Sequence, residues 1–179
     1  MRNYDSEVVH IVYACDDRFA EILGVSLVSL YRNNPDLREI KVYILDAGIK
    51  EENRRKLLSI CKACQRKSMT FIHAKNIKEK LSMDVAADRG SLSQYARLFV
   101  SSDLPKGLGR VLYLDCDVLV RQSIKELWNL GLEGKTIGAL MDAFSKNYRR
   151  NLGLEDNDVM FNSGVMLIDL DQWKKNKIE

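Results

Sequence analysis

The chain has 179 residues, 46% hydrophobic and 30% charged, with 28 basic against 25 acidic side chains and a formal net charge of +3. That length implies one domain with a sizeable core, and so mild a charge argues against nucleic acid as a partner. Uncharged stretches such as 22–31 fall well short of the ~20 residues that cross a bilayer, and two prolines, ten glycines and abundant aliphatics exclude a disordered chain.

No apolar leader follows residues 1–5, so the expectation is a cytoplasmic protein with free thiols at Cys15, Cys61, Cys64 and Cys116. Residues 8–14 (VVHIVYA) read as a strand buried on both faces. A polar break at 15–18 leads into a helix over 19–33, with Phe19, Ile22, Leu23, Leu27 and Leu30 at helical spacing. Asn34-Pro35 stops it. A second strand spans 40–45. A surface helix covers 50–67, with Glu51 and Glu52 at its start, Lys62, Arg66 and Lys67 at its end, and Leu57, Ile60, Cys61 and Cys64 as its apolar stripe. Strand 69–73 follows. A helix over 91–100 is expected from a Ser91/Gln94 capping box, with Leu92, Tyr95, Ala96 and Phe99 inward and Arg97 to one side.

Strands at 110–114, 136–141 and 164–168 complete the set, and Asp169 is positioned to cap a last helix. Alternating strands and helices give an α/β fold with a mainly parallel sheet. Loops are expected at 85–90 and 147–158, the second long and polar enough to close over a ligand.

Ligands of open α/β sheets bind beyond the carboxyl ends of the strands. Asp16 and Asp17 follow the first strand, Asp115 and Asp117 the fourth, Asp142 ends the fifth and Asn162 precedes the sixth. Asp115 and Asp117 interrupt an apolar run, VLYL before and VLV after. In an extended chain both carboxylates fall on one face with Cα atoms about 7 Å apart, and two hard oxygen donors suit Mg²⁺ or Mn²⁺, whose shell phosphate and water complete. A plain turn would also carry two aspartates. Asp16 and Asp17 serve equally as helix caps, Arg97 as a surface charge, and Asn162-Ser163-Gly164 as a turn or bulge.

Cys61-x-x-Cys64 lacks the second ligand pair of a structural zinc and lies on the helix's apolar stripe, where cysteine acts as a small hydrophobe. His10 and His73 have no Ser or Cys arrangement beside them and read as structural. Neither G-x-G-x-x-G after the first strand nor G-x-x-x-x-G-K-[ST] occurs.

Five segments in order, HIVYACDDRF, VYILDAGI, YARL at 95–98, VLYLDCDVLV at 111–120 and FNSGVMLIDLDQW at 161–173, resemble glycosyltransferase family 8 over nearly the whole chain. The resemblance implies a GT-A fold as one nucleotide-sugar-binding domain, Mn²⁺ or Mg²⁺, and a UDP-galactose or UDP-glucose donor. It further implies retaining transfer of the hexose to a saccharide acceptor such as lipopolysaccharide or another cell-envelope glycan. By position, Asp115 and Asp117 would hold the metal. Ala14, Cys15, Asp16, Arg18, Arg97 and Cys116 would line the nucleotide-sugar pocket with them. Arg97, Asp142 and Asn162 would surround the donor sugar. The family pattern continues beyond residue 179 with a further metal-ligating histidine, so this chain is expected to be its N-terminal portion. The competing expectation is a nucleotide-sugar-binding remnant without turnover.

Overall fold

A computed structural model describes residues 8–74, 77–81, 84–85, 91–145, 149–155 and 157–179. Six strands form one sheet: β1 (Val8–Cys15), β2 (Glu39–Asp46), β3 (Thr70–His73), β4 (Arg110–Leu114), β5 (Ile137–Met141) and β6 (Phe161–Asp169), in the order β3-β2-β1-β4-β6-β5. The first four in that order are parallel; β6 runs antiparallel to both β4 and β5. The mixed, mostly parallel α/β reading therefore holds. The reversal of β6 was not legible, because an apolar strand has the same side-chain period in either direction.

The reversal matters for the site. The amino end of β6 lies at the same edge as the carboxyl ends of β1, β2, β4 and β5. Asp16, Asp46, Asp115, Asp142 and Asn162 consequently share one rim.

Period-2 alternation splits the core in two. Val9, Ile11, Tyr13 and Cys15 of β1 face helices α1 (Ala20–Arg32) and α2 (Glu51–Ala63) and the buried Trp128. Val12 and Ala14 face the opposite layer with Ala96, Val100 and Trp173. That layer holds α3 (Ile77–Lys80), α4 (Val100–Asp103) and α6 (Leu170–Lys175), and Asp169 caps α6 as expected by accepting from the N–H groups of Asp171 and Gln172. The short α5 (Lys125–Asn129) carries Trp128, and the buried Arg110 donates to the carbonyls of Trp128 and Leu130 at its end. Tyr43 stacks on His10, and burial lowers the imidazole's pKa, in keeping with a structural histidine.

Three expectations need correction. The helix over 91–100 is a 3-10 helix, Ser93–Phe99, followed by α4. Ser91 Oγ accepts from Ser93 N, not from Gln94 N, so no capping box forms. The helix over 50–67 ends at Ala63, with Gln65 in the left-handed region at φ 53°. Residues 118–120 do not extend β4. The chain leaves the sheet after Leu114 and is strapped to the end of α1: Val120 N donates to Ser29 Oγ, Asn33 Nδ2 to Val120 O, and Ile124 N to the Asn34 side chain. The expected loops 85–90 and 147–158 lie partly outside the described residues.

Candidate active site

β4 delivers Asp115 to the rim, and Val118 N donates to Asp115 O to close a tight turn. Asp115 is half-buried and Asp117 exposed at that turn. The two carboxylates are therefore carried by a turn and not by an extended ribbon, and the oily flanks do not enclose both. Ala14, Arg18, Phe19, Ser91, Gln94, Arg97, Cys116 and Asp117 surround Asp115 in a polar cleft of about 170 Å³. A larger concavity of about 730 Å³ lies between α1 and α2, but it is mainly apolar and neither Asp115 nor Asp117 lines it. The smaller cleft is the one that gathers polar and charged side chains at the rim, the kind of fixed groups that confer specificity.

Arg97 is not a surface charge. Its side chain is only 15% exposed, and Nη2 lies 2.7 Å from Asp115 Oδ1 in an ion pair. Nε donates to Gln94 O at 2.8 Å, and Nη1 to Ser163 O at 2.8 Å and Ser163 Oγ at 2.9 Å. The 3-10 geometry explains the first contact: residues three apart eclipse, so Arg97 stands over Gln94. The guanidinium also lies 4.7 Å from the centre of the Tyr113 ring. Tyr113 Oη donates to Asp115 Oδ1 at 3.0 Å. Burial pushes the Tyr113 phenol well above its ordinary range, with Arg97 opposing and Asp115 reinforcing, so the hydroxyl keeps its proton at neutral pH.

Sequence reasoning missed Tyr113, Ser163, Ser91 and Gln94. Tyr113 had a signal: in a strand, residues two apart share a face, and Tyr113 precedes Asp115 by two. Ser163 had none, because its meeting with Arg97 depends on the direction of β6.

Gly164 brings β6 against Asp115. Asp115 N donates to Gly164 O at 2.8 Å, and a Cβ at Gly164 would lie 3.0 Å from Asp115 Oδ2 and 3.1 Å from Asn162 Oδ1. Those two oxygens flank Gly164, whose N–H donates to Asn162 Oδ1 at 2.9 Å, which places Asn162 beside Asp115. Asp142 follows β5 and accepts from Phe144 N at 2.8 Å; β6 separates it from β4.

Asp16 is almost buried and caps the turn that opens α1, accepting from the N–H groups of Arg18 and Phe19 and pairing with Arg18 Nη2 at 3.0 Å. Burial alone would raise its pKa, but the Ser91 hydroxyl, Arg18 and the Phe19 N–H outweigh it and hold the carboxyl below the usual range. Asp17 serves α2, accepting from Lys50 N and Asn53 Nδ2, both at 2.8 Å. Ala14 and Cys116 do line the cleft, whereas the Cys15 side chain does not. It is turned into the core below α1, because successive β1 side chains alternate faces and Ala14 takes the cleft side. The Cys15 thiol donates to Asp16 O, and the neighbouring Cys116 sulfur and burial hold its pKa far above the ordinary value, so it is neither a nucleophile nor a soft metal ligand.

A model of glycosyl transferase family 8 matches residues 10–179. The chain belongs to glycosyl transferase family 8. General stress protein A of Bacillus subtilis strain 168 is 32% identical over 177 residues, which are 96% of this chain and 59% of that protein. Lipopolysaccharide 1,2-glucosyltransferase of Escherichia coli K12 is 28% identical over 176 residues, 97% of this chain and 51% of its own. The solved galactosyltransferase LgtC, in complex with donor and acceptor sugar analogues, superposes with a TM-score of 0.82 at 34% identity, covering 95% of this chain and 61% of that one. The family 8 chain described here thus spans between half and about three fifths of the length of these relatives, and its fold is the GT-A fold of glycosyltransferases.

Asp115 and Asp117 offer a family 8 site hard oxygen donors only. Asp115 Oδ1 is taken by Arg97 and Tyr113, and among the described residues no hydrogen bond reaches Oδ2. Among those residues, too, no group of three His, Cys, Asp or Glu side chains gathers. The pair fits an ion of the Mg²⁺ or Mn²⁺ kind, which keeps one or two carboxylates and takes other oxygens from phosphate and water.

Proposed function

We propose that this chain is a nucleotide-sugar-binding domain of a metal-dependent, retaining hexosyltransferase. It takes galactose or glucose from the UDP conjugate and delivers it to a saccharide acceptor, a cell-envelope glycan such as lipopolysaccharide, on the cytoplasmic side. The observation that carries the reading is the meeting of Arg97, Asp115 and Asp117 in a polar cleft at the carboxyl edge of the parallel strands. The names of the E. coli and LgtC relatives support the hexose and the acceptor class. No helix among the described residues is long and apolar enough to cross a membrane.

The chemistry follows from charge. As the bond between the sugar and the diphosphate breaks, its electron pair moves to the phosphate oxygen and negative charge builds there. Asp115 and Asp117 would hold the divalent cation that neutralises this charge as a Lewis acid. Arg97 fixes Asp115 and adds positive potential to the cleft. Arg18 and Gln94 offer donors for the nucleotide, with Asp16 buttressing Arg18 from below. Asp142 and Asn162, on the far side of Asp115, are assigned to the hydroxyls of the donor sugar.

Calorimetry with UDP, with and without Mn²⁺, tests the assignment. Wild-type binding should tighten with Mn²⁺, and Asp115→Ala should abolish the tightening. Equal affinities for both proteins would reject the site. A second reading, binding without turnover, is favoured by the absence of a third carboxylate, cysteine or histidine beside the pair among the described residues. UDP release from UDP-galactose or UDP-glucose in the presence of Mn²⁺ separates the two.

A further inference from the structure

The proposed function gives Tyr113 no role, yet its hydroxyl touches the central acid. Tyr113 is the penultimate residue of β4, opposite Val12 of β1 and Met166 of β6, with 1% of its surface exposed. Its Oη donates to Asp115 Oδ1 at 3.0 Å, and Arg97 Nη2 donates to the same oxygen at 2.7 Å. Arg97 is itself immobilised, by Gln94 O below, by Ser163 O and Oγ at the side, and by the Tyr113 ring under its plane. Two donors therefore converge on one carboxylate oxygen, while the other, Oδ2, receives no hydrogen bond among the described residues and lies close to Gly164, where a Cβ would crowd it at 3.0 Å.

A carboxylate on a turn ordinarily rotates about its side-chain torsions. Freezing it in the coordinating rotamer removes that entropy cost from metal binding. Donors behind a metal-ligating oxygen set its direction and basicity.

We infer that Tyr113 is a positioning residue for the cation, with Ser163 acting through Arg97: the pair clamps Asp115 Oδ1 so that Oδ2 is presented to a divalent ion. The inference rests on the metal-dependent reading above. Arg97 then acts first through the carboxylate it holds.

Tyr113→Phe keeps the ring under Arg97 and removes only the hydroxyl. Mn²⁺ binding to the full chain in the presence of UDP, followed by the electron paramagnetic resonance of free Mn²⁺, should weaken ~10-fold, the usual consequence of losing a group behind a metal ligand. UDP affinity without metal and the thermal midpoint should stay near wild type. Unchanged Mn²⁺ affinity would overturn the inference while leaving the proposed function intact. An equal loss of UDP affinity with and without metal would also overturn it, since that marks a general structural role. No Mn²⁺ binding by the wild-type chain would remove both. Should Tyr113→Phe fail to fold, Ser163→Ala reads the other arm of the clamp, with a smaller, metal-specific loss expected; an unchanged Mn²⁺ affinity there counts against the clamp equally.

Discussion

Asp16 and Asp115 both end strands at the same rim, yet the chain spends them differently. Asp16 is consumed internally by a cap, the Arg18 pair and the Ser91 hydroxyl, and its pKa in the folded state lies below the ordinary value. A depressed carboxylate stabilises the fold above its unfolded pKa of about 3.9, and that contribution is lost as pH falls through the lower folded value. Asp16→Asn should therefore be less stable than wild type at pH 7, and the gap should narrow by about pH 3, where the unfolded carboxyl is largely protonated, closing only below the depressed folded value. Urea midpoints at the two pH values measure this directly. A gap that persists unchanged at pH 3 would mean that Asp16 contributes through shape and not charge. The sequence left Asp16 open between cap and ligand, because either role asks for an acid after a strand. Only the position of Ser91, 75 residues on, decides which groups it meets.

At the scale of elements, α1 crosses α2 over Gly24. A Cβ there would meet Ile60 Cδ1 at 3.3 Å and Leu57 Cδ2 at 3.9 Å. Alanine gains about 1 kcal/mol of helix propensity over glycine. Against that stands one close contact with the tip of a side chain that lines the open apolar concavity between the helices and has room to turn. Gly24→Ala should accordingly raise the thermal midpoint by ~2–4 °C in a chain of this size. A fall would show that the helices themselves must separate. The long elements were legible for the same reason that this exchange can be argued: α1, β1, β2 and β4 have strong periodicity and clear stops, and their observed ends differ from expectation by at most one residue, whereas β6 begins three residues before its expected start, at Phe161. Ser93–Phe99 was not legible as a 3-10 helix, since its apolar spacing fits an ordinary helix equally well. Direction was the other blind spot. Nothing in FNSGVMLID states that it returns antiparallel beside β4, and the Arg97–Ser163 contact depends on that return.

For the molecule as a whole, the two edges of the sheet are treated unequally. β3 is four residues long, and Arg54 lies 5.4 Å over the Phe71 ring beside it. Short length and charge are standard protections of an edge strand. β5, at the other end, shows Leu140 and Met141 to solvent at 77% and 71% exposure. Phe144, Val159 and Phe161, at the end of β5 and the start of β6, are exposed as well. An apolar strand with no further strand on its outer edge among the described residues, and with apolar neighbours, is a surface that seeks cover. The 179-residue chain should therefore self-associate as its concentration rises, and sedimentation equilibrium should give a weight-average mass above that of the monomer. Leu140→Lys adds a charge to the solvent face of that edge without touching the core, and it should return the mass to the monomer value with UDP binding unchanged. Association that survives Leu140→Lys would locate the contact elsewhere, and the apolar concavity between α1 and α2 would be the next surface to charge.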